Sequence, residues 1–248
     1  MKIVPKVGYK TTDVFYDGPG RLEFDTLELD SRDKALKINI KKILNAQEAL
    51  KGKDLSMHTQ TSRIFSCFNN GVPEFNEAEL NVLKAEIILC HILKIKELII
   101  HLKQEKLTKE EEKIFRELIK FASKRGVELI YESNSWFIAE TCLDILKRFP
   151  ELNYNLDLGH LNTAVVNKTL GMDLDEFLSK IKDRVVYVHA HNNNGEDEHL
   201  GLDEGSLDWR HVLNNINHSK IRKIIIEVHN PKKVKKTEKL LKEYLKRW

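Results

Sequence analysis

The sequence predicts an α/β protein, a (β/α)8 TIM barrel with a reduced first βα unit, on three observations. Short β-rich runs alternate with stretches of helical periodicity, the pattern of a parallel sheet wrapped by helices. Eight such runs in 248 residues match the size of a (β/α)8 barrel. The last six runs each end in His, Asp or Glu, at the strand end where barrels of this kind keep their active sites.

The strand runs are residues 2–7, 22–29, 54–58, 97–101, 127–132, 152–157, 185–189 and 223–227. The segment 8–21 contains Gly18-Pro19-Gly20 and is too short and broken for an ordinary crossover helix, so either that helix is missing or the second strand is displaced. Phe15 and Tyr16 within it are placed either to cover a substrate or to pack. Helical periodicity covers 76–93, 109–124, 139–148, 174–182 and 233–246. The second of these opens on Thr108-Lys-Glu-Glu111, a capping-box spacing, and closes at Gly126. The Lys-rich segment 231–248 reads as the solvated face of a last helix. No linker, repeat or low-complexity segment interrupts the pattern, so residues 1–248 are expected to form a single domain.

Composition narrows the function classes. The chain carries 41 Lys+Arg against 38 Asp+Glu, a balance too even for a domain built mainly around nucleic-acid phosphates. No apolar run approaches the roughly 18 residues of a membrane span, and Met1-Lys2 leads into a strand-like segment, not a signal peptide. A soluble, cytoplasmic protein with no membrane partner is expected, with oligomerisation left open. The three cysteines, Cys67, Cys90 and Cys142, are scattered without a CxxC pair, which argues against a disulfide scaffold and a Cys-based zinc finger.

Side chains alternate between the two faces of a strand. In 127–132 the apolar set is Val127, Leu129 and Tyr131, leaving Glu128, Ile130 and Glu132 facing the barrel interior. In 152–157 the same phase turns Asn153, Asn155 and Asp157 inward, and elsewhere it turns His58, His101, His189 and Glu227 inward. Gathering six ionisable groups at one mouth is costly unless something compensates them, and a divalent metal does so directly. Imidazole and carboxylate without thiolate suit Zn, Mn, Co or Fe ahead of Ca.

Two short segments add ligand types. Asp157-Leu-Gly-His160 supplies a His three positions past the strand-end Asp, and the loop after His189 contains Asp197-x-His199. A lone His at a strand end is usually a hydrogen-bonded core residue, but the joint pattern marks Glu132, Asp157, His189 and Glu227 as metal ligands. His58, His101, His160, Asp197 and His199 are either further ligands or partners that orient ligands. His191 shares the inward phase of His189 and is expected to exchange roles with it or to face the substrate with His160. His91, His211 and His218 fall on helical stretches and read as surface residues, and His229 is ambiguous. Asn134 and Asn155 read equally as polar layers or substrate contacts.

On these residues the chain resembles the xylose isomerase-like TIM barrels, which join sugar and sugar-phosphate isomerases and epimerases with the endonuclease IV enzymes (AP endonuclease family 2). The resemblance runs from about Leu55 to Glu227 and rests on Leu55-Ser-Met-His58, Leu98-Ile-Ile-His101, Tyr131-Glu132, Leu156-Asp-Leu-Gly-His160, the stretch from His189 to Asp208, and Ile226-Glu227. The isomerase branch implies one divalent ion (Zn, Mn, Co or Mg) held by Glu132, Asp157, His189 and Glu227. The two glutamates then move a proton between adjacent carbons of a small sugar or sugar phosphate through a metal-bound enediolate. The endonuclease IV branch implies up to three Zn held by those four residues with His58, His101, His160, Asp197 and His199, and cleavage of DNA at abasic sites. A third reading is a catalytically silent metal- or sugar-binding barrel.

Departures from the endonuclease pattern favour the isomerase reading. Thr61 stands where the endonucleases carry a Tyr used against DNA, and Ser133-Asn-Ser-Trp136 replaces a Gly-Gln-Gly stretch. Asp157-Leu-Gly-His160 replaces Asp-Thr-Cys-His, and Asn192 stands in place of an Asp with no Lys following. Against the epimerases, Gly195 occupies the position of an Arg that often binds phosphate or hydroxyl.

Overall fold

A computed structural model describes residues 4–11, 24–30, 48, 50–59, 77–103 and 105–248. The eight strands are parallel and follow one another in chain order around a closed sheet: β1 Lys6–Thr11, β2 Thr26–Asp30, β3 Asp54–His58, β4 Glu97–His101, β5 Glu128–Glu132, β6 Asn153–Asp157, β7 Val185–Ala190 and β8 Lys223–Ile226, with β8 paired back onto β1. Among the described residues the helices are α1 Glu77–Ile92, α2 Lys109–Ser123, α3 Ala139–Arg148, α4 Leu158–Val166, α5 Leu174–Ile181, α6 Trp209–Asn214 and α7 Pro231–Leu245. The expected TIM-barrel class is therefore the observed one. None of these helices is long and apolar enough to cross a membrane.

The chain divides into two compact units, residues 10–131 and residues 1–9 with 132–248. The first packs Leu27, Leu29, Met57, Leu83, Ile87 and Phe115 in its interior, each almost without solvent contact. Its helix α2 carries the capping box read from the sequence: Thr108 Oγ1 accepts from Glu111 N at 3.2 Å, and Glu111 Oε2 accepts from Thr108 N at 2.7 Å. The Glu111 carboxylate also takes Lys103 Nζ at 2.7 Å on both oxygens, a buried ion pair. The second unit packs Phe149, Tyr154, Phe177 and Tyr187, each contributing about 1.5–3 kcal/mol through burial.

Two strands differ from the sequence expectation by more than one residue. The first begins at Lys6, not at residue 2, because Pro5 has no N–H to donate to the ladder; the first described rung is Lys6 N to Arg222 O at 3.0 Å. The second is 26–30, displaced toward the C-terminus from 22–29, and it ends on the buried Asp30, whose register partner is His58. Strand β2 thus adds an ionisable strand-end residue to those read from the sequence. The rest of the segment 8–21 beyond Thr11, with Phe15 and Tyr16, lies outside the described residues, as do Thr61 and Cys67.

Helix α4 has no counterpart among the helical stretches that periodicity marks. It is buried on nearly all sides (Leu158, Gly159, Leu161, Asn162, Thr163 and Ala164), so it lacks the polar stripe that marks a surface helix. It starts on Asp157, whose side chain caps it by accepting from His160 N at 2.7 Å.

Candidate metal centre

Strand pairing in the second unit sets the site. Asp157 and His189 are register partners on β6 and β7, so their side chains stand next to each other on one face. Glu227 follows directly on β8, and its N–H reaches Ala190 O of β7. Glu132 closes β5. All four residues are buried.

They converge on one atom. His189 Nδ1 lies 3.0 Å from Glu132 Oε2, 2.9 Å from Glu227 Oε1 and 3.5 Å from Asp157 Oδ2. An imidazole nitrogen carries at most one proton, which cannot compensate three carboxylates gathered within 3.5 Å. A divalent cation fits this donor set, one imidazole and three carboxylates being a ligand combination that Zn and Mn accept. Asn155, on the same face of β6, donates from Nδ2 to Glu132 Oε2 at 2.5 Å and so fixes that carboxylate. Its orienting contact was not legible in the sequence, where it read equally as a polar layer.

A second cluster borders the first. Asp157 caps α4 through His160 N, which carries the His160 side chain one turn past the strand end; this is the physical content of the Asp-x-x-His spacing. His160 Nδ1 faces Ser133 O at 2.8 Å, and His199 Nδ1 faces Glu227 O at 2.7 Å. A ring that donates Nδ1–H to a carbonyl leaves Nε2 as the lone-pair nitrogen, the arrangement of a metal-binding imidazole. Both Nε2 atoms point at Asp197, at 3.8 Å from Oδ2 for His160 and 3.4 Å from Oδ1 for His199. His191 is fully buried; its Nε2 is 3.0 Å from Asp157 Oδ1, and its ring stacks at 4.1 Å on His199, which stacks at 4.3 Å on His229. Ligand atoms of His191, Asp197 and His199 lie within 4.8 Å of one another, as do those of Glu132, Asp157 and His160.

The electrostatics follow from this crowding. Burial works against the charged forms, yet the neighbouring imidazoles of His160, His191 and His189 hold Asp157 well below the ordinary carboxylate range. For Asp197, His199 and His160 likewise outweigh burial and lower the pKa. Burial opposes protonation of His160, but Asp157, Glu132 and Asp197 push its pKa up. Burial also opposes protonation of His199, but Asp197, Glu227 and Asp157 together outweigh it and raise its pKa to about 9. His229 is lowered by burial and by the nearby imidazoles of His199 and His191. The cluster thus favours added positive charge.

His58 and His101 belong to the other unit. Their Nε2 atoms face each other at 3.2 Å, and His58 Nδ1 meets Thr59 O at 2.9 Å. His91 and His211 are exposed and His218 is half-buried.

The residues 2–248 match the family model of the xylose isomerase-like TIM barrels. Uncharacterized protein MJ1311 of Methanocaldococcus jannaschii is 31% identical over 142 residues, 52% of this chain and 46% of that protein, so the chain matches about half the length of this relative. Among solved structures, a D-tagatose 3-epimerase-like protein superposes with a TM-score of 0.76 at 22% identity, covering 98% of this chain and 97% of that one. The IOLI protein with a bound zinc atom gives 0.65 at 15% identity over 98% and 95%. The match across the whole described sheet and both clusters means that this chain belongs to the xylose isomerase-like TIM barrel family.

Proposed function

We propose that the chain is a divalent-metal-dependent isomerase or epimerase of a small sugar or sugar phosphate, working as one barrel domain. The observation that carries this reading is the convergence of Glu132, Asp157 and Glu227 on His189 Nδ1. These four residues would hold the cation, which when bound polarises adjacent substrate oxygens as a Lewis acid.

The protein's own groups then do the proton work. One of Glu132 and Glu227 takes the proton from the carbon beside the substrate carbonyl, and the C–H electron pair passes into the carbon–carbon bond of an enediolate. The other glutamate, protonated beforehand, returns its proton: to the same carbon from the opposite face for an epimer, or to the former carbonyl carbon for an isomer, in which case the hydroxyl proton also passes to the former carbonyl oxygen. Asn155 keeps the Glu132 carboxylate aimed. His160 stands on the substrate side, and His191 acts through Asp157, to which it is bonded.

The test is proton exchange. Protein loaded with Mn, Co, Zn or Mg is incubated with ketohexoses and ketose phosphates in deuterated water, and label is sought by NMR at the carbon beside the carbonyl. Label incorporation that disappears in Glu227→Gln supports the reading; label that persists in that variant sinks the site assignment.

One observation favours a second reading, a zinc phosphodiesterase acting on abasic DNA: both His160 and His199 present Nε2 to Asp197, a geometry suited to a further cation. His199→Ala abolishes activity if that cation is part of the catalytic machinery and mainly raises KM if a single cation suffices. Cleavage of abasic DNA with no label exchange on any sugar would establish the second reading in place of the first.

A further inference from the structure

Asn193 is fully buried and its carboxamide is saturated. Nδ2 donates to Gly159 O at 2.8 Å and Thr163 Oγ1 at 3.0 Å, while Oδ1 accepts from Gly195 N at 3.0 Å and Asn162 Nδ2 at 2.8 Å. Gly159 and Thr163 bracket His160 on α4, and Gly195 stands two residues before Asp197. A single side chain therefore ties the helix that carries His160 to the loop that carries Asp197.

The rest of that loop is held independently. Its base is closed by the two backbone hydrogen bonds between Asn192 and Leu200, and the Asn192 side chain donates to Leu202 O and Leu207 O. Its far limb is tied through His199 Nδ1 to Glu227 O. These bonds fix His199 against β8, but among the described contacts they do not set the distance from α4 to Asp197. Asn193 does, aided by Asn167 Nδ2, which reaches Gly195 O at 2.7 Å, and by Asn162 Nδ2, which reaches Asn193 O at 2.7 Å.

We propose that Asn193 is a positioning residue that sets the spacing between His160 and the Asp197–His199 pair, and thereby lets that cluster close on a second divalent cation. The inference rests on the reading of both clusters as cation sites. A carboxamide is required because two donors and two acceptors are used at once; an Asp of equal size turns acceptor against the acceptor Gly159 O.

Zinc titration with calorimetry, together with anomalous scattering at the zinc edge to locate each ion, tests this on the full chain. Wild type is expected to hold zinc at the Glu132–Asp157–His189–Glu227 cluster and at the His160–Asp197–His199 cluster. Asn193→Asp should keep the first site at wild-type affinity and weaken the second by about tenfold or more, the range for lost orienting contacts. Thr163→Val deletes one of the four bonds at nearly constant volume and should weaken the second site by a smaller factor, which keeps the test alive should the Asn193 variant fail to fold. Two sites of unchanged affinity in both variants, or equal weakening of both sites, overturns the proposal. Wild type with zinc only at the first cluster also overturns it while leaving the isomerase reading standing; wild type with no zinc at the first cluster removes that reading itself.

Discussion

The imidazole of His191 occupies the space where a side chain on residue 159 would begin: a Cβ built on Gly159 falls 1.9 Å from His191 Cε1 and 2.6 Å from Nε2, the nitrogen bonded to Asp157. Gly159 has ordinary helical geometry, so its lack of a side chain serves this close approach and not a special backbone angle. Gly159→Ala should force His191 away from Asp157. The expected cost is about 2–3 kcal/mol, a fall in Tm of about 5–10 °C for a chain of this size. A double-mutant cycle with His191→Ala checks the cause, because removing the ring should restore much of the loss. Strictly additive effects would rule this contact out as the reason for the glycine.

Cation removal should be legible in stability. With three carboxylates around His189 Nδ1, the cation-free form carries uncompensated repulsion. A divalent ion at about 100 times its Kd should add about 2.7 kcal/mol, or about 5–10 °C in Tm. Calorimetric scans of chelator-treated protein before and after adding Zn or Mn measure this, and coincident scans would contradict the proposed centre.

Asn155 should matter to rate more than to binding. It donates to Glu132 from the neighbouring strand, at a distance that fixes one carboxylate oxygen. Asn155→Ala should lower kcat by about 10–100-fold with a small change in KM, the pattern of a lost orienting partner. Steady-state kinetics on whichever sugar exchanges label decides it; an effect confined to KM would assign Asn155 to substrate binding.

A pH-dependent part of the stability belongs to the unit of residues 10–131. Burial raises the Glu111 pKa, but its hydrogen bonds from Lys103 and Thr108 outweigh that and bring it below the ordinary 4.5. A carboxyl with a depressed folded-state pKa stabilises the fold above its unfolded pKa and loses that contribution as pH falls through the folded value. Glu111→Gln should therefore be less stable than wild type in urea at pH 7, with the gap closing below about pH 4. A gap that stayed constant down to pH 3 would show that charge is not its source.

Much of the architecture was readable from residue order because its signals are local. The runs 54–58 and 97–101 coincide with β3 and β4, and Thr108 and Glu111 announced their cap, since each depends on neighbours a few positions away. The first two strands start later than residue order suggests, β1 at Lys6 after Pro5 and β2 at Thr26, with β2 running on to Asp30. Helix α4 escaped because its polar residues face inward, against the periodicity that reveals a surface helix.

At the candidate centre, residue order already dictates which groups stand at the strand ends, because the two-residue period of a strand and the register of parallel neighbours leave little freedom there. Asp157 beside His189 follows from that alone. Folding is what brings three carboxylates to one nitrogen of His189, turns Nε2 of His160 and His199 toward Asp197, and joins α4 to the loop after β7 through Asn193. Most of these contacts join residues 30 or more positions apart, for example Asn193 with Thr163 and His191 with Asp157. Their geometry is set by packing around Gly159 and by saturation of buried amides, and neither leaves a periodic mark in the chain.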